Sequence, residues 1–378
     1  RHIPLHWERK LQATEHHEAQ RIRWSGVGEF SSAPGTGYYF PLIYAPQAAG
    51  LALAKALGLS VDASYRWSRT FALLAATGVV LLAFSIYAPP PLASGLLLLP
   101  MSLFQLSSAT IDGLSAALTM LALSCFMRLA SDKEDSRPWH FHVLAIALVL
   151  LVSSRIHALP LLLVLCAACI YNRDRRRWIT AGAVIVFVIS WSAIAASTTV
   201  QLGAGPAGSR SSVVAHYLGD PLSFLQMVDA TLRAPGYSAA YRYSFVGVLG
   251  WLDSGFPGHV YHRVFLLLFA LLAVSIPPAD WRRTGFARAL LVSCAVASFL
   301  LVFFAMLVTW NPDSATVIEG VQGRYFLLPA MMLAYAMSAG AKSERPRRNA
   351  AGAALLLVLL LFSSFETIRL LLQRYYLV

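Results

Sequence analysis

The chain has 378 residues, of which 57% are hydrophobic and only 13% are Asp, Glu, Lys or Arg. A soluble domain carries about a quarter charged residues. The mean hydropathy of +0.61 and the apolar runs of membrane length exclude an ordinary soluble domain. The net charge of +12 comes largely from Lys and Arg in short loops between apolar runs, which is a topology signal of membrane proteins. We therefore expect an all-α, polytopic transmembrane helix bundle with no nucleic-acid partner.

The chain opens with a polar segment that ends in the turn-rich sequence GVGEFSSAPGTG. The next segment, YYFPLIYAPQAAGLALAKALGLS, contains Pro41, Pro46 and Lys55, which favour an interfacial or re-entrant helix over a full span. We predict that residues 1–66 form a first extracytoplasmic loop that includes this interfacial helix. The length and charge of the opening predict that a further N-terminal segment with one more span precedes Arg1.

Ten apolar segments are candidate spans, and the expected preceding span would make eleven. They divide the chain into helices over 67–198, a long extracytoplasmic loop over 199–261, and helices over 262–378. The candidate spans are 67–87, 91–107, 110–130, 140–155, 157–172, 179–198, 262–276, 286–309, 325–341 and 350–372.

Basic residues concentrate in the loops on one side of these spans. The loops are RLASDKEDSRP, NRDRRRW, DWRRTGFAR and AKSERPRR. The positive-inside rule makes this side cytoplasmic. The opposite side carries two loops of more than fifty residues, and loops of this length tend to be functional.

Several ionisable residues lie at the outer ends of predicted spans, where they indicate function or simple anchoring. Asp112, in SSATIDGLS, is either a first-turn acid that complements the helix dipole or an acid facing an outer cavity. Arg155 and His157 lie in the short outer turn SSRIHALP, where an arginine either extends to headgroups or binds a phosphate. Arg69 precedes the first span on the outer side, against the positive-inside bias, which favours an anionic ligand there.

Two other outer segments combine polar residues with Gly, Pro or aromatic residues. Trp251 and Asp253 lie in GVLGWLDSGFP, which predicts either an interfacial anchor with a turn acid or a loop shaped over the membrane surface. The stretch VIEGVQGRYFLLP is either an anchor or a clamp on a phosphate or sugar. Its polar and aromatic residues are Glu319, Gln322, Arg324 and Tyr325.

Common soluble-enzyme motifs are missing from the sequence. It contains no P-loop, no G-x-G-x-x-G, no convincing nucleophile elbow and no H-E-x-x-H. Cys166 and Cys169 form a C-x-x-C inside an apolar run, where two small membrane-compatible residues are the simpler interpretation. We predict no disulfide framework and assign no metal ligands.

The motifs YYFPLIYAPQAAG, SSATIDGLS, GVLGWLDSGFP and GVQGRYFLLP occur in this order, and together they resemble the DUF2142 family of predicted bacterial membrane proteins. The resemblance covers about residues 35–330. This family is similar to the GT-C superfamily of membrane glycosyltransferases. The resemblance implies a multi-pass protein of the bacterial inner membrane whose active site faces the periplasm or outside. The implied reaction transfers a sugar from a polyprenyl-phosphate donor to a cell-envelope glycan or lipid acceptor.

The resemblance also implies roles for the outer residues. The candidate catalytic acids are Asp112, Asp253 and Glu319, and the candidate phosphate ligands are Arg69, Arg155 and Arg324. The candidate cavity residues are Tyr39, Tyr44, His157, Trp251, Gln322 and Tyr325. The resemblance also predicts an Asp-Glu motif followed by His near the first span. Glu15 and Glu18 in TEHHEAQR match this motif only partly. We therefore expect the motif in the preceding segment. The lipid-linked donor is the implied ligand, while a divalent metal and the oligomeric state are left open.

Two alternative functions are consistent with the same features. An O-antigen-type polymerase or ligase would differ in carrying a polymer on its lipid donor. A transporter or flippase of lipid-linked sugars would place charged residues near mid-span and use broken helices. The charged residues here gather at the outer ends of spans, which favours chemistry at the membrane surface.

Overall fold

A computed structural model describes residues 13–28, 30, 36–131, 137–171, 174–199, 207–250, 252–276, 284–312, 314–338 and 346–376. These residues are almost entirely helical, with one two-stranded antiparallel hairpin. The first eight helices are α1 (Ala13–Arg21), α2 (Ala45–Ala56), α3 (Val61–Ile86), α4 (Pro91–Leu97), α5 (Pro100–Leu106), α6 (Asp112–Ser131), α7 (Pro138–Val152) and α8 (Leu162–Tyr171).

The second half of the chain begins with another long helix and ends with the longest one. Its elements are α9 (Arg175–Thr198), α10 (Ala207–Gly219), α11 (Pro221–Arg233), α12 (Tyr237–Val246), β1 (Val248–Leu249), β2 (Ser254–Gly255), α13 (Gly258–Ser275), α14 (Gly285–Trp310), α15 (Leu327–Met337) and α16 (Pro346–Tyr375). Three 3-10 turns connect helices, at Pro41–Tyr44, Ile156–Leu161 and Gly323–Phe326.

Six described helices are long and apolar enough to cross a membrane, namely α3, α6, α9, α13, α14 and α16. They confirm the predicted all-α, polytopic membrane fold. The other four predicted spans are shorter or broken. The segment 91–107 forms α4 and α5, 140–155 forms the 15-residue α7, and 157–172 and 325–341 each form a 3-10 turn followed by a short helix. Six of the ten predicted spans are thus single described helices that are long enough to cross alone, and the other four are shorter or broken apolar segments.

Pro100 explains why the segment 91–107 is not one continuous helix. Proline lacks a backbone N–H and its ring clashes with the carbonyl four residues earlier. That carbonyl belongs to Leu96, and it accepts a hydrogen bond from the Ser102 hydroxyl at 2.7 Å. Because a freed backbone group must find a partner inside a membrane bundle, Ser102 makes the break between α4 and α5 tolerable.

Helix α6 forms the centre of the bundle. Its apolar window is 89% buried, whereas those of α3, α9 and α16 are 22% buried. It contacts α3, α5, α7, α8 and α15. At mid-length the Tyr335 hydroxyl lies 2.7 Å from the Ser124 hydroxyl and donates to the Met120 carbonyl at 3.2 Å, so a hydrogen-bonded tyrosine ties α15 to α6.

We call the end of the bundle that carries the start of α6 the outer end, because it is predicted to be extracytoplasmic. Helix α2 packs against α3 here, and the short 3-10 turn before α2 contacts α7, as expected for the interfacial segment. Helix α3 begins at Val61, before the predicted boundary between residues 66 and 67. Its start is fixed by Ser60, whose hydroxyl accepts from the Ala63 N–H at 3.3 Å.

The predicted loop 199–261 contains three helices and the hairpin, and it packs on the outer half of α14. Rings of Tyr241, Phe303 and Phe326 meet with centroids 5.8 to 6.0 Å apart, and such aromatic contacts stabilise beyond their buried area. The segment before α15 is held by side chains of this layer. The Thr231 hydroxyl accepts from the Ile318 N–H at 2.9 Å, and the Ser244 hydroxyl accepts from the Gly323 N–H at 2.8 Å.

Gly323 provides a test of this docking. An ideal Cβ at this position would lie 2.0 Å from the Tyr241 carbonyl oxygen and 2.2 Å from the Phe245 nitrogen. We expect Gly323→Ala to lower the free energy of unfolding by about 1–3 kcal/mol or more, because backbone atoms of α12 must shift. Gly258→Ala, whose Cβ would meet nothing within 4 Å, is the control. Equal melting temperatures of the two variants in detergent would contradict the close contact.

Candidate functional site

Three charged residues from distant parts of the chain meet at the outer end of the bundle. Asp112 begins α6, Arg155 follows α7, and Arg324 lies in the turn before α15. An Nη2–Oδ1 ion pair joins Arg155 to Asp112, and Arg324 Nη1 lies 3.9 Å from the second oxygen of the same carboxylate. One carboxylate is thus shared by two guanidinium groups, an arrangement we call the Asp112 cluster.

A glycine allows Asp112 to reach this position. An ideal Cβ on Gly113 would lie 2.8 Å from the Leu106 Cα and 3.1 Å from the Gln105 carbonyl oxygen. Only glycine therefore lets the start of α6 lie directly against the end of α5. This close approach places the Asp112 carboxylate beside the Gln105 side chain.

Gln105 bridges the cluster and was not predicted from the sequence. In the amide orientation that satisfies both ends of the side chain, its nitrogen donates to Asp112 Oδ2 at 3.2 Å and to the Thr110 hydroxyl at 2.8 Å. Its oxygen then accepts from Arg324 Nη1 at 3.0 Å. The sequence feature that could have identified Gln105 is an amide inside the apolar segment PMSLFQL, because polar residues at membrane depth indicate function. In the structure this side chain is buried.

A narrow pocket opens beside the cluster. Its volume is about 30 Å³, which is enough to admit a water molecule. His157 and Ser115 line the pocket and are 8% and 1% exposed. Their Nε2 and Oγ atoms have no hydrogen-bond partner among the described residues. Because an unsatisfied buried polar atom costs about 1–3 kcal/mol, these two atoms are suited to a water molecule or a polar ligand.

The rest of the wall is mostly apolar. The apolar lining residues are Leu97, Met101, Leu106, Ala116, Phe245, Leu327 and Leu328. A polar ligand group would therefore be held by the Asp112 cluster while an attached hydrocarbon contacts neighbouring helices.

The cluster carries one more positive charge than negative charge. Burial lowers the pKa of the Arg155 guanidinium, but its ordinary value lies so far above neutrality that it stays charged. The Arg155 side chain is only 11% exposed, so its charge is weakly screened by solvent. The arrangement therefore favours an additional anion, and the planar fork of each arginine fits carboxylate or phosphate oxygens.

Aromatic rings flank both arginines. The Arg155 guanidinium carbon lies 5.4 Å from the Tyr39 ring centroid, and that of Arg324 lies 5.5 Å from the Tyr325 ring centroid. Tyr44 packs against Tyr39 with ring centroids 6.5 Å apart. These contacts restrict the arginines by cation–π attraction and bring the predicted Tyr39, Tyr44 and Tyr325 to the site.

Three other predicted site residues, Arg69, Glu319 and Asp253, do not line the pocket. Arg69 donates through Nε to the Ser107 carbonyl at 2.6 Å and does not line the pocket. The Asn311 side chain hydrogen-bonds the backbone of Glu319, and Glu319 is exposed. Asp253 pairs with Arg374 at 3.0 Å, beside the end of α16. Spacing along the chain does not determine which of these residues line the pocket.

Gln322 and Trp251 are the remaining predicted site residues. Gln322 has a buried Oε1 without a hydrogen-bond partner in the described part of the chain, but it does not line the pocket. Trp251 lies outside the described residues. Within the described ranges, no three His, Cys, Asp or Glu side chains come together as a metal site.

A family model described as "Predicted membrane protein (DUF2142)" matches residues 4–334. The chain belongs to the DUF2142 family. The matched region of this DUF2142 protein contains Asp112, Arg155 and Arg324 and ends inside α15, so that α16 lies beyond it. No curated protein and no solved structure matches the chain.

Asp112→Asn tests whether the shared carboxylate holds the cluster together. We expect the free energy of unfolding to fall by about 1–3 kcal/mol, because the buried Arg155 guanidinium loses its charged partner. Adding Arg155→Met should recover part of the loss. Asp229→Asn is the control, since it breaks an exposed pair with Arg233 (2.9 Å) that is expected to matter little. Equal melting temperatures for Asp112→Asn and Asp229→Asn would contradict a structural role of the carboxylate.

Proposed function

We propose that this DUF2142 protein is a GT-C-type glycosyltransferase of the bacterial inner membrane. It would move a sugar from a polyprenyl-phosphate donor to a cell-envelope glycan or lipid acceptor on the extracytoplasmic face. The supporting observation is the Asp112 cluster, an excess of guanidinium charge at the outer end of an apolar bundle. The motif resemblance to GT-C proteins supports the same reaction class.

The location of the cluster suits a lipid-linked donor. A polyprenyl chain is apolar and would lie among or beside the helices, while its phosphate would stay near the membrane surface. In the transfer, the acceptor hydroxyl oxygen forms a bond to the anomeric carbon as the bond between that carbon and the phosphate oxygen breaks. Negative charge then develops on the departing phosphate. Arg155 and Arg324 would stabilise this charge, a contribution worth about 10²–10³ in rate per donor group in other enzymes.

We further propose that the donor phosphate replaces Asp112 as the partner of the two arginines. The free pocket of about 30 Å³ is far smaller than ordinary ligand pockets of roughly 300–1,000 Å³, so binding must rearrange its wall. A phosphate between Arg155 and Arg324 would release the Asp112 carboxylate. Asp112 would then orient the acceptor hydroxyl and accept its proton as general base.

The alternatives differ in what they require of the bundle. A polymerase or ligase would use the same cluster with a longer glycan on the donor. A transporter of lipid-linked sugars would need charged groups along a route through the bundle. Asp112, Arg155 and Arg324 all lie at one end, which favours a reaction at the membrane surface.

Arg324→Ala and Arg155→Ala test the proposed donor site. In proteoliposomes that contain the purified protein and a panel of polyprenyl-phosphate sugars, each variant should lower kcat/KM about 100-fold or more. Arg233→Ala removes an exposed arginine from the same side and should keep wild-type transfer. The proposal fails if all three variants transfer sugar at the wild-type rate while their expression is normal.

A further inference from the structure

A second cavity lies at the inner end of the bundle, opposite the Asp112 cluster. Its walls come from the end of α3, the three prolines before and at the start of α4, the end of α13 and the start of α16. The cavity volume is about 300 Å³, which is large enough for a lipid headgroup. It contains none of the four family motifs singled out above and has no role in the proposed reaction.

Arg348 is held at the edge of this cavity in a fixed orientation. Its Nε donates to the carbonyl of Val274, which lies in the last turn of α13, where helix carbonyls lack partners of their own. This bond uses one of the five guanidinium N–H groups. The terminal Nη1 and Nη2 atoms have no hydrogen-bond partner among the described residues, and Arg348 lines the cavity. They form an open fork of the kind that binds phosphate oxygens.

The start of α16 adds further positive charge. Its first turn contains Arg347 and Arg348 and no acidic residue. A helix N-terminus already carries about half a positive charge, which adds to the charge of Arg348 beside the cavity and favours an anion there. Within the described part of the chain, the cavity lining contains Arg348 and no Asp or Glu, which favours an anionic ligand.

The remaining walls are mostly apolar. Phe84 and Leu356 line the cavity from α3 and α16, and both helices are largely unburied by protein. The Phe84 side chain is 44% exposed. A ligand that combines an anionic phosphate with hydrocarbon therefore fits both parts of the cavity.

We propose that this cavity binds an anionic phospholipid of the inner leaflet. Arg348 and the start of α16 hold the headgroup phosphate, and the acyl chain lies along Phe84 and Leu356. The site is separate from the Asp112 cluster, and its occupation does not depend on glycosyl transfer.

The test uses two neighbouring arginines. Purified, delipidated protein is titrated with phosphatidylglycerol, and affinity is measured by native mass spectrometry and by the rise in melting temperature. Arg348→Ala should weaken binding at least about tenfold, because the phosphate loses a charge-assisted hydrogen bond. Arg347→Ala removes an adjacent, exposed arginine that does not line the cavity and should change affinity less than about twofold.

A second variant covers the case in which Arg348→Ala disturbs the fold through its bond to Val274. Ala353 lines the cavity and is exposed within it, so Ala353→Phe should fill the space and weaken lipid binding at least about tenfold without changing any charge. Equal weakening by Arg347→Ala and Arg348→Ala would overturn the proposal. Equally tight binding of phosphatidylcholine with the same acyl chains would also overturn it, as would binding of glycerol phosphate as tight as that of the lipid.

Discussion

The shared ion pair of Asp112 is the constraint on which the outer end of this bundle depends. Two guanidinium groups from separate connecting segments contact the same carboxylate, and without it their repulsion would be weakly screened. The neighbouring features serve this arrangement. Gly113 brings Asp112 against α5, Gln105 bridges the carboxylate to Arg324, and Gly323 docks the turn before α15 onto α12. A change at any of them is expected to alter the same three charges.

The same ion pair occupies the arginines that a phosphate would use, and the pocket beside it has a volume of about 30 Å³. An anion that binds both arginines must compete with the carboxylate. This competition lowers the affinity of the site for weakly charged ligands. The inner cavity differs in this respect, since Arg348 has no carboxylate partner in the described lining and the space beside it is open. At the outer end, therefore, Arg155 is paired with a carboxylate, whereas at the inner end Arg348 borders an open cavity.

The sequence predicted the helical membrane fold, and it also predicted three residues that meet at the site. Asp112, Arg155 and Arg324 were recognisable because charged residues at the ends of apolar runs are unusual. Gln105 was not predicted because one amide in an apolar segment does not indicate a site unless its partners, Asp112 and Arg324, are known. The predicted site residues Asp253 and Glu319 do not line the pocket, since spacing along a chain does not determine which outer segments meet. The break at Pro100 was predictable from its ring, but the Ser102 bond that makes it tolerable required the structure.

A structure of the protein with a bound polyprenyl phosphate tests the central claim most directly. Cryo-electron microscopy of the complex should place the phosphate between the guanidinium groups of Arg155 and Arg324, with the Asp112 carboxylate displaced from Arg155. The polyprenyl chain should leave the pocket along the apolar wall formed by Leu97 and Leu328. A phosphate bound at another position, with the ion pair between Arg155 and Asp112 intact, would contradict the account.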